Sequence, residues 1–141
     1  MMYDIKPYER AGDLYFRMGR DGVVGHLGVP ERIGKRSKEV KYFYEDLCVC
    51  FSDDMKRIVE ITFYPSANVA FDGILVYSDP DAFKKLLIKD GNPLEDVGII
   101  FLLNLGINLT GFHDDQECER AITIYERGRF DDCLTKLKPF Q

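Results

Sequence analysis

Long apolar runs are absent from this 141-residue chain. The longest, Val97–Leu103, contains Gly98 and is followed by Asn104. It is far shorter than the ~18 residues that a membrane-spanning helix needs. The first ten residues, MMYDIKPYER, also lack the apolar core of a signal peptide. The sequence therefore predicts a cytoplasmic protein that neither crosses a membrane nor is exported.

Residue patterns that carry catalysis or hold metals are missing as well. The two histidines, His26 and His113, lie far apart in the chain, and no HExxH motif or Cys/His ligand spacing occurs. The glycines of Gly19–Gly28 do not have phosphate-loop spacing. We therefore expect no catalytic residues, no metal site and no cofactor, and a protein that is not an enzyme.

The four cysteines do not suggest a disulfide framework. Cys48 and Cys50 are too close for ordinary pairing, and on a strand they would share one face. Cys118 and Cys133 complete the set. Without a secretion signal, reduced thiols are the expected state.

Positive charge is scarce in the larger part of the chain. Residues 1–40 hold eight Lys/Arg against six Asp/Glu, whereas residues 41–141 hold eleven against eighteen. An acidic body argues against nucleic-acid binding, which requires phosphate-neutralising side chains. It is compatible with a basic protein partner or simply with solubility.

Alternating apolar residues are what the sequence does have, above all in Tyr42–Tyr64. This stretch predicts strands with turns near Glu45-Asp46 and Ser52-Asp53-Asp54. The predicted core face carries Phe43, Leu47, Val49, Phe51, Val59, Ile61 and Phe63. The opposite face carries Tyr42, Tyr44, Cys48, Cys50, Glu60, Thr62 and Tyr64.

Other segments follow from capping and periodicity. Helices are predicted at Arg20–Gly28, Asp79–Lys89 and Gly128–Leu137. Further strands are predicted at Leu14–Met18, Val69–Tyr77, Gly98–Leu103, Gly106–Phe112 and Cys118–Glu126. Met1–Asp13 is interpreted as a loose arm and Val29–Lys38 as a loop.

The second half of the chain repeats the first in weaker form. A shift of 58 aligns Phe43 with Phe101, and a shift of 61 aligns Thr62 with Thr123. Each copy follows a predicted helix that ends in glycine and then proline. These features predict one α+β domain, residues 1–141, with repeat units at 19–77 and 79–126. Its fold would be a tandem duplication of helix plus antiparallel β-meander, giving one sheet of about seven strands with helices on one face.

An uncovered sheet face would suit a protein partner, because tyrosine combines an apolar ring with a hydrogen-bonding tip. Ordinary half-packed strand tyrosines would look the same in the sequence. The predicted partner-binding residues are Tyr42, Tyr44, Glu60, Tyr64, Asp114, Asp115, Glu117 and Tyr125.

A resemblance to known proteins is carried by the following segments: GRDGVVGHLGVP (Gly19–Pro30), Tyr42-x-Tyr44, Cys48–Phe51 with its Ser-Asp-Asp turn, and Arg57–Phe63. They resemble some immunity proteins of bacterial toxin systems, such as contact-dependent growth inhibition. The tandem helix-plus-sheet plan is similar to that of the β-lactamase inhibitory protein. The signal peptide and disulfide spacing of that secreted inhibitor are not found, so this second likeness concerns the fold plan.

The resemblance implies a cytoplasmic protein that binds a cognate toxin domain and blocks its active site. The toxin would be basic, for example a nuclease, and acidic side chains would steer the encounter. One alternative is a small-ligand-binding protein or enzyme with a cleft between the two units. Another is a structural adaptor that self-associates through its tyrosine face.

Overall fold

The computed structural model describes residues 2–113 and 119–141. Within these ranges the helices are α1 (Arg20–Leu27), α2 (Ala82–Asp90) and a 3-10 helix (Asp131–Lys136). Strands make up most of the remaining regular structure, so the fold class is α+β, as predicted. No helix in the described ranges is long and apolar enough to cross a membrane.

The strands fall into two sheets. In chain order they are β1 (Met2–Lys6), β2 (Arg10–Ala11), β3 (Leu14–Tyr15), β4 (Arg32–Arg36), β5 (Glu39–Phe43), β6 (Leu47–Ser52), β7 (Ile58–Phe63), β8 (Asn68–Phe71), β9 (Ile74–Leu75), β10 (Leu94–Asp96), β11 (Ile99–Leu102), β12 (Ile107–Thr110), β13 (Ala121–Tyr125) and β14 (Lys138–Pro139).

The larger sheet is antiparallel throughout and has nine strands in the order β14-β10-β11-β12-β13-β7-β6-β5-β4. The smaller sheet has five strands in the order β3-β2-β1-β8-β9, with β1 and β8 parallel. Residues of the small sheet and of both helices join those of one face of the large sheet in a single core. Its fully buried side chains include Val23 of α1 and Leu86 of α2. Burying a leucine of this kind contributes about 1.5–3 kcal/mol.

The same order of elements occurs twice. A short hairpin, β2–β3 or β8–β9, leads to a helix, and the helix leads to four antiparallel strands. Phe43 and Phe101 hold the same position, opposite Cys48 and Asn108 respectively. The shift of 58 therefore holds for Phe43 and Phe101, whereas Cys48 and Asn108 opposite them are 60 positions apart, since the connection is two residues longer in the second unit.

The two four-stranded runs meet at β7 and β13. Thr62 lies directly opposite Thr123, with Ile61 opposite Ile124 and Phe63 opposite Ile122. The two threonine hydroxyls are 2.9 Å apart and hydrogen-bonded. Because Thr62 and Thr123 are also aligned by the shift of 61, an approximate two-fold axis passes between them.

The prediction of one sheet of about seven strands is wrong, because two segments interpreted as irregular are strands. The predicted arm Met1–Asp13 contributes β1 and β2, and β1 is the central strand of the small sheet. The predicted loop Val29–Lys38 contains β4, which is an edge of the large sheet. The charged side chains of β4 hid this strand, since an edge strand exposed on both faces has little alternation.

The predicted strand Val69–Tyr77 is a hairpin in the small sheet instead of a fourth strand of the first meander. Asp72 and Gly73 both have positive φ, 48° and 80°, and form its two-residue turn. Such a turn requires left-handed backbone at both central positions, which glycine supplies at no steric cost and Asp tolerates.

The C-terminal ends of α1 and α2 follow the predicted glycine signals, whereas their N-caps are Gly19 and Asp81, neither with a side-chain capping hydrogen bond. Gly91 ends α2 in the left-handed conformation (φ 80°), and its N–H donates to the carbonyl of Leu87. Gly28 likewise ends α1, with its N–H donating to Val24. The predicted last helix, Gly128–Leu137, is a shorter 3-10 helix.

Candidate functional site

The large sheet has two unlike faces. The first face, toward the small sheet and helices, carries an apolar row across the strands: Tyr42, Val49, Ile61, Ile124, Ile107 and Leu102. The second face carries a more polar row: Phe43, Cys48, Thr62, Thr123, Asn108 and Phe101. The second face is therefore the one to examine for a partner.

The C-terminal segment covers only part of the second face. The ring of Phe130 contacts those of Phe101 and Tyr125, with centroids 5.4 and 4.7 Å apart. Beyond Phe130 the chain pairs with β10 through β14, which is the edge of the large sheet opposite β4. The part left uncovered, here called the open patch, consists of Arg32, Lys41, Phe43, Thr62, Tyr64 and Thr123, all exposed or partly exposed.

Tyr42 does not lie on the second face, and this prediction is wrong. It is 5% exposed and packs edge-on against Phe51 at 5.0 Å, while its hydroxyl accepts a hydrogen bond from Arg20 Nε. Phe43 lies on the second face in its place. The reason is the connection between β5 and β6: Phe43 faces Cys48 across the ladder, so odd-numbered residues of β5 share a face with even-numbered residues of β6.

The other predicted tyrosines have different environments. Tyr44 packs partly buried against the core, and its hydroxyl donates to the carbonyl of Gly28 at 2.9 Å. Tyr125 lies on the second face but is 1% exposed beneath Phe130. Tyr64 is partly exposed in the open patch, where burial raises the pKa of its hydroxyl. Of the four predicted tyrosines, Tyr64 is the one placed to meet a partner.

Glu60 lies on the second face as predicted, but its charge is engaged. Arg129 Nε donates to Glu60 at 3.0 Å, and Arg129 Nη1 contacts Glu39 at 2.5 Å. The hydrogen bond from Arg129 lowers the pKa of Glu39. This triad fixes the C-terminal segment to β5 and β7, so Glu60 is occupied within the chain.

The predicted acidic residues Asp114, Asp115 and Glu117 lie outside the residues that the structure describes. Their predicted contribution to partner binding therefore stays a prediction.

The thiols of the second face are shielded. Cys48 and Cys50 are buried, and burial raises their pKa to about 11 and about 12. Both are therefore neutral at physiological pH, a state in which a thiol is a poor nucleophile and a poor metal ligand. Residues 2–113 and 119–141 contain no group of His, Cys, Asp and Glu that could hold a metal ion.

The features that the sequence analysis missed are cationic. The β4–β5 hairpin lines a groove of about 560 Å³ with five exposed basic side chains: Arg32, Lys35, Arg36, Lys38 and Lys41. Arg32 stacks over the ring of Phe43 at 3.8 Å from its centroid. The five basic residues within residues 32–43 were visible in the sequence. Because Val29–Lys38 was interpreted as a loop, no sheet edge was predicted to carry them.

Comparisons with protein-family models, with curated proteins and with solved structures found no match to this chain. The open patch and the adjoining cationic groove are thus the features from which a function is inferred.

Proposed function

We propose that this chain is a protein-binding inhibitor of the immunity type, which acts in the cytoplasm and neutralises a cognate bacterial toxin domain by occlusion. The observation that supports it is the open patch, an uncovered part of a sheet whose other face packs into the core along the central strands. Its contact residues would be Phe43, Thr62, Tyr64 and Thr123.

The chemistry of the open patch suits a protein surface. Phe43 and Tyr64 offer large, partly exposed rings, the residue type that commonly anchors interfaces. Thr62 lies on β7 and Thr123 on β13, and each of these strands is paired with a neighbour on both sides. The positions of the two threonines are therefore fixed before a partner arrives. A preordered surface loses less conformational entropy on binding than a mobile loop.

The way the two units join also favours occlusion. β7 and β13 form a continuous ladder, so the open patch crosses from one unit to the other at Thr62 and Thr123. A continuous surface can cover a toxin's active site without any reactive group of its own. The alternative of a ligand cleft between the units gains no support from this junction.

The test is co-expression with the product of the adjacent open reading frame. We expect the chain to co-purify with that product and to protect cells from its toxicity. Thr62→Arg places a long charged side chain in the middle of the open patch, and Tyr64→Ala removes a ring. Each should weaken binding by about tenfold or more, equivalent to about 1.4 kcal/mol.

The control is Ser78→Arg, which adds the same side chain at an exposed position just before α2, away from the second face. It should bind and protect like the unmodified chain. Thermal unfolding of each variant separates loss of binding from loss of fold. Absence of both co-purification and protection, or full binding by both patch variants, would refute the proposal.

A further inference from the structure

The β4–β5 hairpin carries a charge opposite to that of the rest of the chain. Residues 32–43 contain five Lys/Arg and one Glu, a net +4 in a chain of net −5, which leaves −9 elsewhere. The single acid, Glu39, is already bound by Arg129. Among the described residues, none of the five cations takes part in an ion pair. The hairpin is therefore an unneutralised positive surface on an acidic body.

The same hairpin ends in a free strand edge. Among the described strands β4 pairs with β5 alone, through five residues in unbroken register from Arg32 to Arg36. Arg36 and Glu39 flank a two-residue turn and thus form a hydrogen-bonded pair, as is usual for such hairpins. Alternation then directs the backbone N–H and C=O groups of Ile33 and Lys35 outward, where another strand could bind them.

The two sides of this edge differ in chemistry. On the second face, Arg32 and Arg36 flank Gly34, which has no side chain and lets the ring of Phe43 pack close to the backbone; a Cβ there would lie 3.1 Å from Phe43 Cε2. Lys41 lines the same groove. On the first face, Ile33 is 57% exposed, the nearby Val29 is 82% exposed, and Lys35 is also exposed. An added strand would thus meet only cations on the second face, and Ile33 together with the Lys35 side chain on the first.

We propose that the β4 edge binds an extended acidic segment of a protein partner by strand addition. Acidic residues of that segment would alternate with apolar ones, the acids lying against Arg32, Arg36 and Lys41, and the apolar residues against Ile33. Side chains of a strand point alternately to its two faces, which gives this period of two. The inference rests on the proposed function insofar as the partner is a protein. It shares Arg32 and Lys41 with the open patch but uses none of the proposed contact residues Phe43, Thr62, Tyr64 and Thr123.

Charge decides against two other occupants. A second copy paired through the same edge would bring two sets of Arg32, Lys35 and Arg36 together, and like charges across paired strands are destabilising. Nucleic acid would meet the cations, but also the net −9 carried by the rest of the chain. An acidic peptide in extended form engages only the hairpin and avoids most of that repulsion.

The test uses the full chain and a fluorescent ten-residue peptide of alternating Glu and Val, followed by anisotropy. Three comparison probes are a peptide of the same composition with the glutamates in one block, the alternating peptide N-methylated at every second residue, and a single-stranded DNA oligonucleotide. We expect saturable binding of the alternating peptide that weakens with added salt. N-methylation should abolish it, because it removes the backbone donors.

Arg32→Glu and Lys41→Glu should each weaken peptide binding by about tenfold. Lys84→Glu, at an exposed lysine of α2, is the matched control and should leave binding unchanged. Absence of saturable binding, equal binding of the blocked or methylated peptide, tighter binding of DNA, or concentration-dependent dimerisation through this edge would each overturn the inference. Loss of toxin binding in Tyr64→Ala with normal peptide binding would separate the two proposals.

Discussion

At the scale of single residues, Arg129 connects distant parts of the chain. It contacts Glu39 of β5 and Glu60 of β7, and its own side chain is 21% exposed. Few of its contacts could be read from the sequence, since 90 positions separate Arg129 from Glu39. The triad holds the C-terminal segment against the second face and so sets the boundary of the open patch.

Glu39→Gln should remove part of the acid sensitivity of folding. The pKa of Glu39 is lowered from 4.5 by the hydrogen bond from Arg129, so its stabilising effect is present above that value and is lost as pH falls through the lowered pKa. The free energy of unfolding in urea, measured at about pH 6 and about pH 3, should fall less in the variant than in the unmodified chain. Glu45→Gln, at an exposed turn position, is the control, and equal pH dependence in Glu39→Gln would contradict the prediction.

At the scale of elements, α2 is held at its end by a buried carboxylate. Asp90 is 5% exposed and accepts hydrogen bonds from the backbone N–H groups of Asn92, at 3.0 Å, and Asn104, at 2.9 Å. The amide of Asn104 in turn donates to the carbonyl of Asp90 at 2.8 Å. The helix end and the β11–β12 turn are thereby fixed to each other.

Asp90→Ala should lower the free energy of unfolding by about 1–3 kcal/mol, because two hydrogen bonds to a buried carboxylate are lost. Asp81→Ala, at the exposed start of the same helix, is the control, since the Asp81 side chain makes no capping hydrogen bond there. It should change stability by less than about 0.5 kcal/mol. Equal effects of the two substitutions in denaturant unfolding would show that the carboxylate contributes no specific support.

At the scale of the whole molecule, the junction between the two runs of strands makes them one sheet. Tyr77 reinforces it: its hydroxyl donates to the carbonyl of Phe63 at 2.6 Å and accepts from the N–H of Ile122 at 3.0 Å. The Tyr77 side chain thus bridges β7 and β13 at the opposing pair Phe63 and Ile122. Units joined in this way should unfold together.

Calorimetry should show a single transition, with calorimetric and van't Hoff enthalpies in agreement. Tyr77→Phe should keep that single transition but cost about 1–3 kcal/mol, because the hydroxyl serves two buried backbone groups. Tyr15→Phe, with no hydroxyl hydrogen bond among the described residues, is the matched control. Two resolved transitions in the unmodified chain would contradict the prediction of one cooperative domain.

Local patterns were sufficient for some of these features and insufficient for others. Both α-helices were predicted close to their observed positions, and the alignment of Thr62 with Thr123 matches their pairing. The face of Tyr42 was predicted wrongly because the connection between β5 and β6 resets the alternation of side chains between the two faces. No pattern within β5 shows how long that connection is. β4 was missed because four of its five residues are exposed, so its sequence shows no alternation of apolar and polar residues.

By itself the sequence determined the fold class, the two helices with their glycine ends, the strand core around Tyr42–Tyr64 and the repeated order of elements. These depend on short-range periodicity and backbone preference, which each segment carries within itself. Only the tertiary structure decided which face of the large sheet stays uncovered, that Arg129 occupies Glu60, and that the basic residues 32–41 line one edge. Such features depend on contacts between residues far apart in the chain, and no local pattern specifies them.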